Sequence, residues 1–533
     1  MHYLKKYFWL IVILVLAVLL RLYDYTAISL WHDEAFSALL IRYPWGEMFY
    51  RLGLDVHPPL YYILLRLWHY AFGDTVAALR GFSLLFGVLS VWAVWLLVKY
   101  AFKSEKTALW AAFLLAVNPF QLQYVTEARM YTMGAFFSVL AAYFLVRALR
   151  EQKQYLEDLK LNMPNLPAER KLFGSYLWHY AWFALCSAGA DLTHYYLLFT
   201  TAALGFYALV YHIYHYRAAY KKYAALLGSY ALIILLFLPW LKQFLFQYRQ
   251  VQAGYWIPPI DIWSIPGTLW TMVLGIAHDN GNPLTQKMLV VLTLFVLFVV
   301  WRFLRRTQQF EKWLVVLATL APFLGAGLFV LLARLKGSSS SVYEERYFLF
   351  ASSFLTVILA VWLAELRVRW LGAGLLIAYG LFNFYGFVHY WRDLGVEDKP
   401  GMAGAARFLG SNVELGDRVF VGTSYEFFNY KYYALTYYPL PAGAGPLLYT
   451  GGRADISQIS HVEGVALLSN ADLLPDFAAA VHPGDTVWLL WTYAFGSNKP
   501  DLPGNWTQID ERSYPDVRPY AGTTIYADEY KVN

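Results

Sequence analysis

Apolar runs of roughly membrane-spanning length recur along this chain between residues 7 and 389, and no other feature of the sequence constrains its fold so tightly. About twenty apolar residues make a helix long enough to cross the hydrocarbon core of a bilayer, where a backbone meets its hydrogen bonds only within itself. The runs lie at 7–20, 77–98, 107–126, 130–148, 176–191, 196–214, 224–241, 287–304, 313–333, 347–365 and 370–389, eleven in all. Composition agrees, because 59% of the 533 residues are hydrophobic and 15% are charged. That balance excludes a soluble globular chain. The first run follows Lys5 and Lys6 and ends at Arg21, Leu22 and Tyr23, where a secretory signal would offer small residues for cleavage. It reads as an uncleaved first transmembrane helix.

Charge placement is an independent test of that count. With a cytoplasmic N-terminus, the inner loops hold Lys99, Lys103 and Lys106, then Arg147, Arg150, Lys153, Lys160, Arg170 and Lys171. They continue with Arg217, Lys221 and Lys222, then Arg302, Arg305, Arg306 and Lys312, and last Arg367 and Arg369. Every short basic cluster falls on one side, as the positive-inside rule requires. The net charge of +6 therefore reports membrane topology and not a nucleic-acid partner. The expected location is the inner (plasma) membrane, crossed many times.

An odd helix count places everything after Tyr390 outside the cytoplasm. Residues 391–533 contain no further spanning run, and Gly416-Asp417 and Gly484-Asp485 precede β-like runs at Arg418–Gly422 and Thr486–Trp491, with a helical stretch at Gly404–Leu409. The expected architecture is a polytopic α-helical membrane protein of about eleven transmembrane helices, residues 1–390, with a C-terminal extracytoplasmic α/β domain. Two outer segments are too long for simple turns. Residues 24–74 include candidate interfacial helices near Ala35–Ile41 and Leu60–Tyr70, and 242–287 carry a Trp/Pro pattern suited to the membrane surface. Cys186 is the sole cysteine, so no internal disulfide forms.

Five polar clusters map to the outer side. Trp31-His32-Asp33-Glu34 puts two adjacent acids beside an apolar segment, a costly arrangement unless they face water, a metal or a reacting hydroxyl. His57-Pro58-Pro59-Leu60-Tyr61-Tyr62 fixes its backbone with two prolines that can open a helix at Leu60. In Glu127-Ala128-Arg129-Met130-Tyr131, Arg129 keeps its charge and needs an anionic partner, either Glu127 or a phosphate. Asp191-Leu192-Thr193-His194-Tyr195-Tyr196 reads as an interfacial aromatic belt or as part of a site. Within Tyr343-Glu344-Glu345-Arg346-Tyr347, Arg346 has glutamates beside it as ready partners. Acids, arginines and histidines gathered at a lipid–water boundary suit a reaction in which a hydroxyl is deprotonated and an anionic phosphate departs.

Taken in order, these motifs resemble bacterial members of glycosyltransferase family 39, GT-C membrane enzymes related to the protein O-mannosyltransferases and the lipid A aminoarabinose transferase. The resemblance covers about residues 1–390. It implies a polyprenyl-phosphate-linked sugar as donor and a lipid, glycan or protein hydroxyl as acceptor, with inversion at the anomeric carbon. By resemblance Asp33 orients or deprotonates the acceptor hydroxyl, with Glu34 beside it in the same motif, and the pair can hold a divalent cation although nothing in the spacing demands one. His57 stands where the aminoarabinose branch has the lysine of a Lys-Pro-Pro motif that contacts lipid phosphate, so phosphate stabilisation shifts toward Arg129 and Arg346. Tyr61, Tyr131 and His194 are implied to line the cavity and contact sugar or phosphate. A transporter or a non-catalytic membrane scaffold is the competing reading. A transporter usually has short loops and polar groups near the midplane.

Overall fold

The computed structural model of the chain describes residues 2–23, 25–160, 166–217, 220–253, 255–275, 280–337, 340–366, 369–394, 399–494, 497–517 and 524–533. Arg367, used above in the charge test, and Asp24, the first residue of the long outer segment, lie outside the described residues. All eleven apolar runs are helical. The helices are His2–Leu22, Val76–Phe102, Glu105–Ala116 with Pro119–Val125, Tyr131–Lys160, Leu166–Asp191, Leu197–Tyr216, Ala224–Phe237, Pro283–Arg306, Lys312–Leu335, Leu349–Ala364 and Arg369–Leu394. Among the described residues seven helices are long and apolar enough to cross a membrane, and eight if the bent pair at 105–125 is one span; Tyr7–Leu22 and Trp370–Tyr385 are shorter apolar helices. The chain is a multi-pass membrane protein.

Two compact units emerge. The first comprises Met1–Tyr23, His57–Tyr61 and Ser83–Phe387, and the second Asp24–Val56, Tyr62–Phe82 and Val388–Asn533. Residues 391–533 thus fall wholly in the second unit, joined there by most of the first outer segment that the sequence attaches to the transmembrane part.

Small side chains build the core of the first unit. Ala17, Ala108, Ala111, Ala112, Ala141 and Ala142 are fully buried, and without bulk at these places neighbouring helices approach closely, the packing mode available when lipid offers no hydrophobic drive between helices. Leucines and isoleucines such as Leu227, Ile234, Leu294 and Leu324 are instead more than 60% exposed, as expected of a surface solvated by acyl chains.

Sheet order in the second unit is β3-β2-β1-β4-β6-β5, from β1 (Arg418–Val421), β2 (Leu447–Tyr449), β3 (Leu473–Leu474), β4 (Thr486–Thr492), β5 (Trp506–Pro515) and β6 (Thr524–Val532). β1 pairs in parallel with β2 and β4, and β6 runs antiparallel to β4 and β5. The α/β expectation for the tail is correct, including both Gly-Asp-led strands. The edge strand β5 shows polar residues along most of its length, with Asp510, Glu511 and Arg512 beside a bulge at Gln508/Asp510, and such charges blunt an open sheet edge. The aromatic run in the Ser424–Thr436 helix is core: Phe427, Phe428, Tyr430, Tyr432 and Tyr433 are buried. Two of its hydroxyls also anchor the early segment, Tyr433 accepting from the Leu30 amide at 2.9 Å and Tyr432 donating to the Asp74 carbonyl at 2.8 Å.

One break within the first unit bears directly on the site. The run at 107–126 is not a straight helix; it bends by 55° where Asn118-Pro119 interrupts it, because proline cannot donate to the ladder and disfavours helix in the residue before it. Asn118 caps the second piece, accepting from the Gln121 amide at 3.0 Å, and its own amide donates to the Met272 carbonyl at 2.8 Å. Gly275 ends the Ser264–Leu274 helix at φ +63°, so close to Pro119 that a Cβ there would lie 2.2 Å from the proline Cβ. Only glycine meets both demands. Gly275→Ala is expected to lower stability by about 1–3 kcal/mol, read as a drop in the thermal midpoint of the purified protein, whereas an unchanged midpoint would show that this junction tolerates side-chain bulk.

Candidate active site

Four of the five motifs meet in the first unit. His57-Pro58-Pro59-Leu60 is tied to the loop after the Leu166–Asp191 helix, since the Leu60 amide donates to the Leu192 carbonyl at 2.9 Å. Pro58 and Pro59 are buried and rigid, and they deliver His57 to Arg129: Arg129 Nη2 lies 3.0 Å from His57 Nε2. A guanidinium only donates, so Nε2 accepts and the ring proton sits on Nδ1. His57 thus orients the arginine by accepting its hydrogen bond. Arg129 is 2% exposed, and its backbone is fixed as well, with its amide donating to the Glu127 carbonyl at 2.8 Å and the Ser83 hydroxyl donating to its own carbonyl at 3.2 Å.

Around His194 lies an aromatic wall. Its ring centroid is 4.7 Å from that of Tyr347, 5.2 Å from Phe350 and 6.0 Å from Tyr131. The Tyr196 amide donates to His194 Nδ1 at 3.2 Å, which places this ring's proton on Nε2, the opposite tautomer to His57. Burial holds the His194 pKa well below the usual histidine range, and the neighbouring His57, Arg129 and Arg346 push it further down. The imidazole is therefore neutral, with an N–H to donate. Arg346 is buried between the rings of Trp256 and Tyr347, 5.3 and 5.9 Å from its guanidinium carbon, with Glu344 at 3.7 Å. Its neighbouring glutamate is a partner, as the sequence allows. Tyr61 is fully buried one residue after the Leu60 anchor.

Asp33 and Glu34 belong to the second unit, in the first turn of the His32–Leu40 helix, where acids complement the positive end of the helix dipole. There the two acids part ways. Asp33 is half-buried, while Glu34 is fully buried and grips Arg80 through both oxygens, Oε1 to Nε and Oε2 to Nη2, each at 2.8 Å. The remaining Arg80 protons go to the carbonyls of Tyr25, Ile28 and Ser29 at 2.9, 2.8 and 3.2 Å, so all five donors of the guanidinium are used. Through Arg80, Glu34 thus ties residues 25–29 to the helix carrying Asp33. No three His, Cys, Asp or Glu side chains converge to hold a metal among the described residues. Arg80 escaped the sequence reading because it sits in an apolar run; an ionisable residue within such a run is itself the signal.

Comparison with known proteins gives a consistent answer. ArnT from Cupriavidus metallidurans, solved with undecaprenyl phosphate bound, superposes with a TM-score of 0.60 over 98% of both chains at 11% identity, and its apo state matches equally. The chain has the GT-C glycosyltransferase fold. A weaker likeness, TM-score 0.49 at 13% identity over 92% of this chain and 70% of the other, extends to the archaeal oligosaccharyltransferase AglB from Archaeoglobus fulgidus. Residues 56–160 match the family described as dolichyl-phosphate-mannose-protein mannosyltransferase. A search of curated proteins finds no match. The matched segment contains His57, Tyr61, Arg129 and Tyr131, while Asp33, Glu34, His194 and Arg346 lie outside it.

Two expectations follow. Arg80→Met strands a buried carboxylate and is expected to cost about 3–5 kcal/mol, with much of the loss restored in the Arg80→Met/Glu34→Leu double variant; equal losses in both would show that the ion pair is not what holds the loop. His194 is neutral when folded but takes a proton near pH 6.5 when unfolded, so its contribution is complete above that pH and is lost as pH falls below it, at about 1.4 kcal/mol per pH unit. Thermal denaturation between pH 7.5 and 5 should show this slope reduced in His194→Gln, and identical slopes would remove His194 as its source.

Proposed function

We propose that this protein is a glycosyltransferase that moves a sugar from a polyprenyl-phosphate donor to a hydroxyl of a lipid, glycan or protein on the outer side of the inner (plasma) membrane. The observation that carries this reading is the buried Arg129, oriented by a hydrogen bond to His57, in a chain with the GT-C fold. A permanently charged guanidinium kept out of water and aimed by an acceptor nitrogen is suited to an anionic ligand that brings its own charge. Undecaprenyl phosphate in ArnT and the dolichyl-phosphate family description over residues 56–160 support a lipid phosphate as that ligand.

In this reading Asp33 takes the proton of the acceptor hydroxyl, and the freed oxygen attacks the anomeric carbon opposite the phosphate. The new carbon–oxygen bond forms as the bond from that carbon to the phosphate oxygen breaks, and the electron pair leaves with the phosphate. Inversion results. Arg129 neutralises the departing group, so no separate acid has to protonate it. His57 supplies direction, Arg346 adds positive field, and His194 has an Nε2 proton to donate. The aromatic rings of Tyr131 and Tyr347 suit the face of a sugar. Glu34 acts through Arg80 by fixing the turn that presents Asp33. The N-terminus is cytoplasmic and the C-terminal domain extracytoplasmic, as the basic clusters direct.

The test is to incubate the purified chain with a panel of polyprenyl-phosphate sugars and follow donor consumption by mass spectrometry. Asp33→Asn is expected to slow transfer about 10²–10⁴-fold without loss of folding, and Arg129→Ala by about 10²–10³-fold. Wild-type protein that consumes no donor, or an Asp33→Asn variant as fast as wild type, would sink the proposal.

A further inference from the structure

At the end of the first unit that carries the basic loops, a groove of about 600 Å³ opens between three helices. Trp92, Trp95, Leu96, Lys99 and Tyr100 of the Val76–Phe102 helix line it, and their helical spacing puts them on one face. Tyr7 and Leu10 of the His2–Leu22 helix form a second wall, and Tyr143 of the Tyr131–Lys160 helix a third. Rings join these walls edge to face, Tyr7 to Trp95 and Tyr100 to Tyr143, each pair with centroids 6.0 Å apart. Every aromatic residue in the lining is Trp or Tyr, the two types that favour the boundary between acyl chains and water. Beside Tyr7, Phe8 and Trp9 are 53% and 64% exposed, so the surface leading into the groove is of the lipid-solvated kind.

Charge at the mouth selects the occupant. Lys99 Nζ lies 4.3 Å from the centre of the Trp95 ring and 5.3 Å from that of Tyr7, a cation held against two aromatic faces. It pairs with Glu105 Oε2 at 2.8 Å, and the Trp95 indole donates to Glu105 Oε1 at 3.0 Å. Lys103 and Lys106 stand on either side of Glu105; both are exposed, and among the described residues neither pairs with an acid. Residues 99–106 thus hold three lysines against one glutamate, an excess of two positive charges. Arg147, over the Tyr100 and Tyr143 rings, adds no further excess because Glu151 pairs with it at 2.8 Å. An apolar groove with a basic rim at a membrane boundary complements a lipid whose headgroup is anionic, whereas a zwitterionic headgroup gains little from the rim.

We propose that this groove binds one anionic phospholipid, with acyl chain against Leu10, Trp92 and Leu96 and phosphate toward Lys99, Lys103 and Lys106. The site is separate in its residues from Arg129 and from the transfer reaction. Bound there, the lipid joins the first helix to the Val76–Phe102 helix.

Native mass spectrometry of the full-length protein in detergent, offered dioleoyl phosphatidylglycerol and dioleoyl phosphatidylcholine in equal amounts, tests this. The wild type should retain one phosphatidylglycerol in preference to phosphatidylcholine. The exposed pair Lys103→Gln/Lys106→Gln should lose about tenfold of that preference with an unchanged thermal midpoint, and Leu96→Trp, which fills the groove, should retain less of both lipids. Equal retention of the two lipids by the wild type, or an undiminished preference in the double lysine variant, would overturn the proposal. A dimer that sheds lipid as it forms would also overturn it, by giving the groove to a second copy of the chain.

Discussion

Arginine cannot shed its proton, and two buried arginines dictate how the polar parts of this protein are arranged. Arg80 must satisfy five N–H groups away from water, and it does so by drawing in Glu34 and three carbonyls of residues 25–29. An otherwise irregular stretch acquires a defined shape because every alternative strands charge in a poor solvent. Arg129 obeys the same constraint with a different outcome. Its guanidinium donates to the His57 imidazole, and that bond orients it.

The scaffold around Arg129 is made from the ends of helices. A proline break at 118–119 redirects the chain before Glu127, a pair of prolines at 58–59 stiffens the approach of His57, and the Leu60–Leu192 hydrogen bond links that approach to the turn bearing His194. Backbone that leaves the helical ladder needs other partners in a protein dissolved in lipid. Here those irregular places carry His57, Arg129 and His194. Two histidines within this region differ in which ring nitrogen accepts a hydrogen bond, Nε2 of His57 from Arg129 and Nδ1 of His194 from the Tyr196 amide.

Much of this was legible in the sequence, and what was not has identifiable causes. Helix positions were readable because hydropathy is local and each run carries its own signal. The two Gly-Asp turns likewise announced β1 and β4. The bend at Pro119 was hidden inside a run counted as a single span, although Asn-Pro is a local stop signal that could have been weighted more heavily. Asp33 and Glu34 looked like one unit because they are adjacent; on a helix, neighbouring side chains point about 100° apart, so one can be buried while the other meets solvent. The Arg129–His57 bond joins residues 72 apart, and no spacing rule reaches so far. The Arg80 partnership was missed for the same reason, with 46 residues between its ends.

The polar edge of the sheet has a consequence for life at high density. A multi-pass protein confined to a bilayer meets its own copies far more often than a protein free in three dimensions, and every copy would present the same open strand at the same height. A bare β5 would invite those copies to zip together into ribbons lying along the membrane. Asp510, Glu511, Arg512 and the bulge beside them make such lateral polymerisation unfavourable.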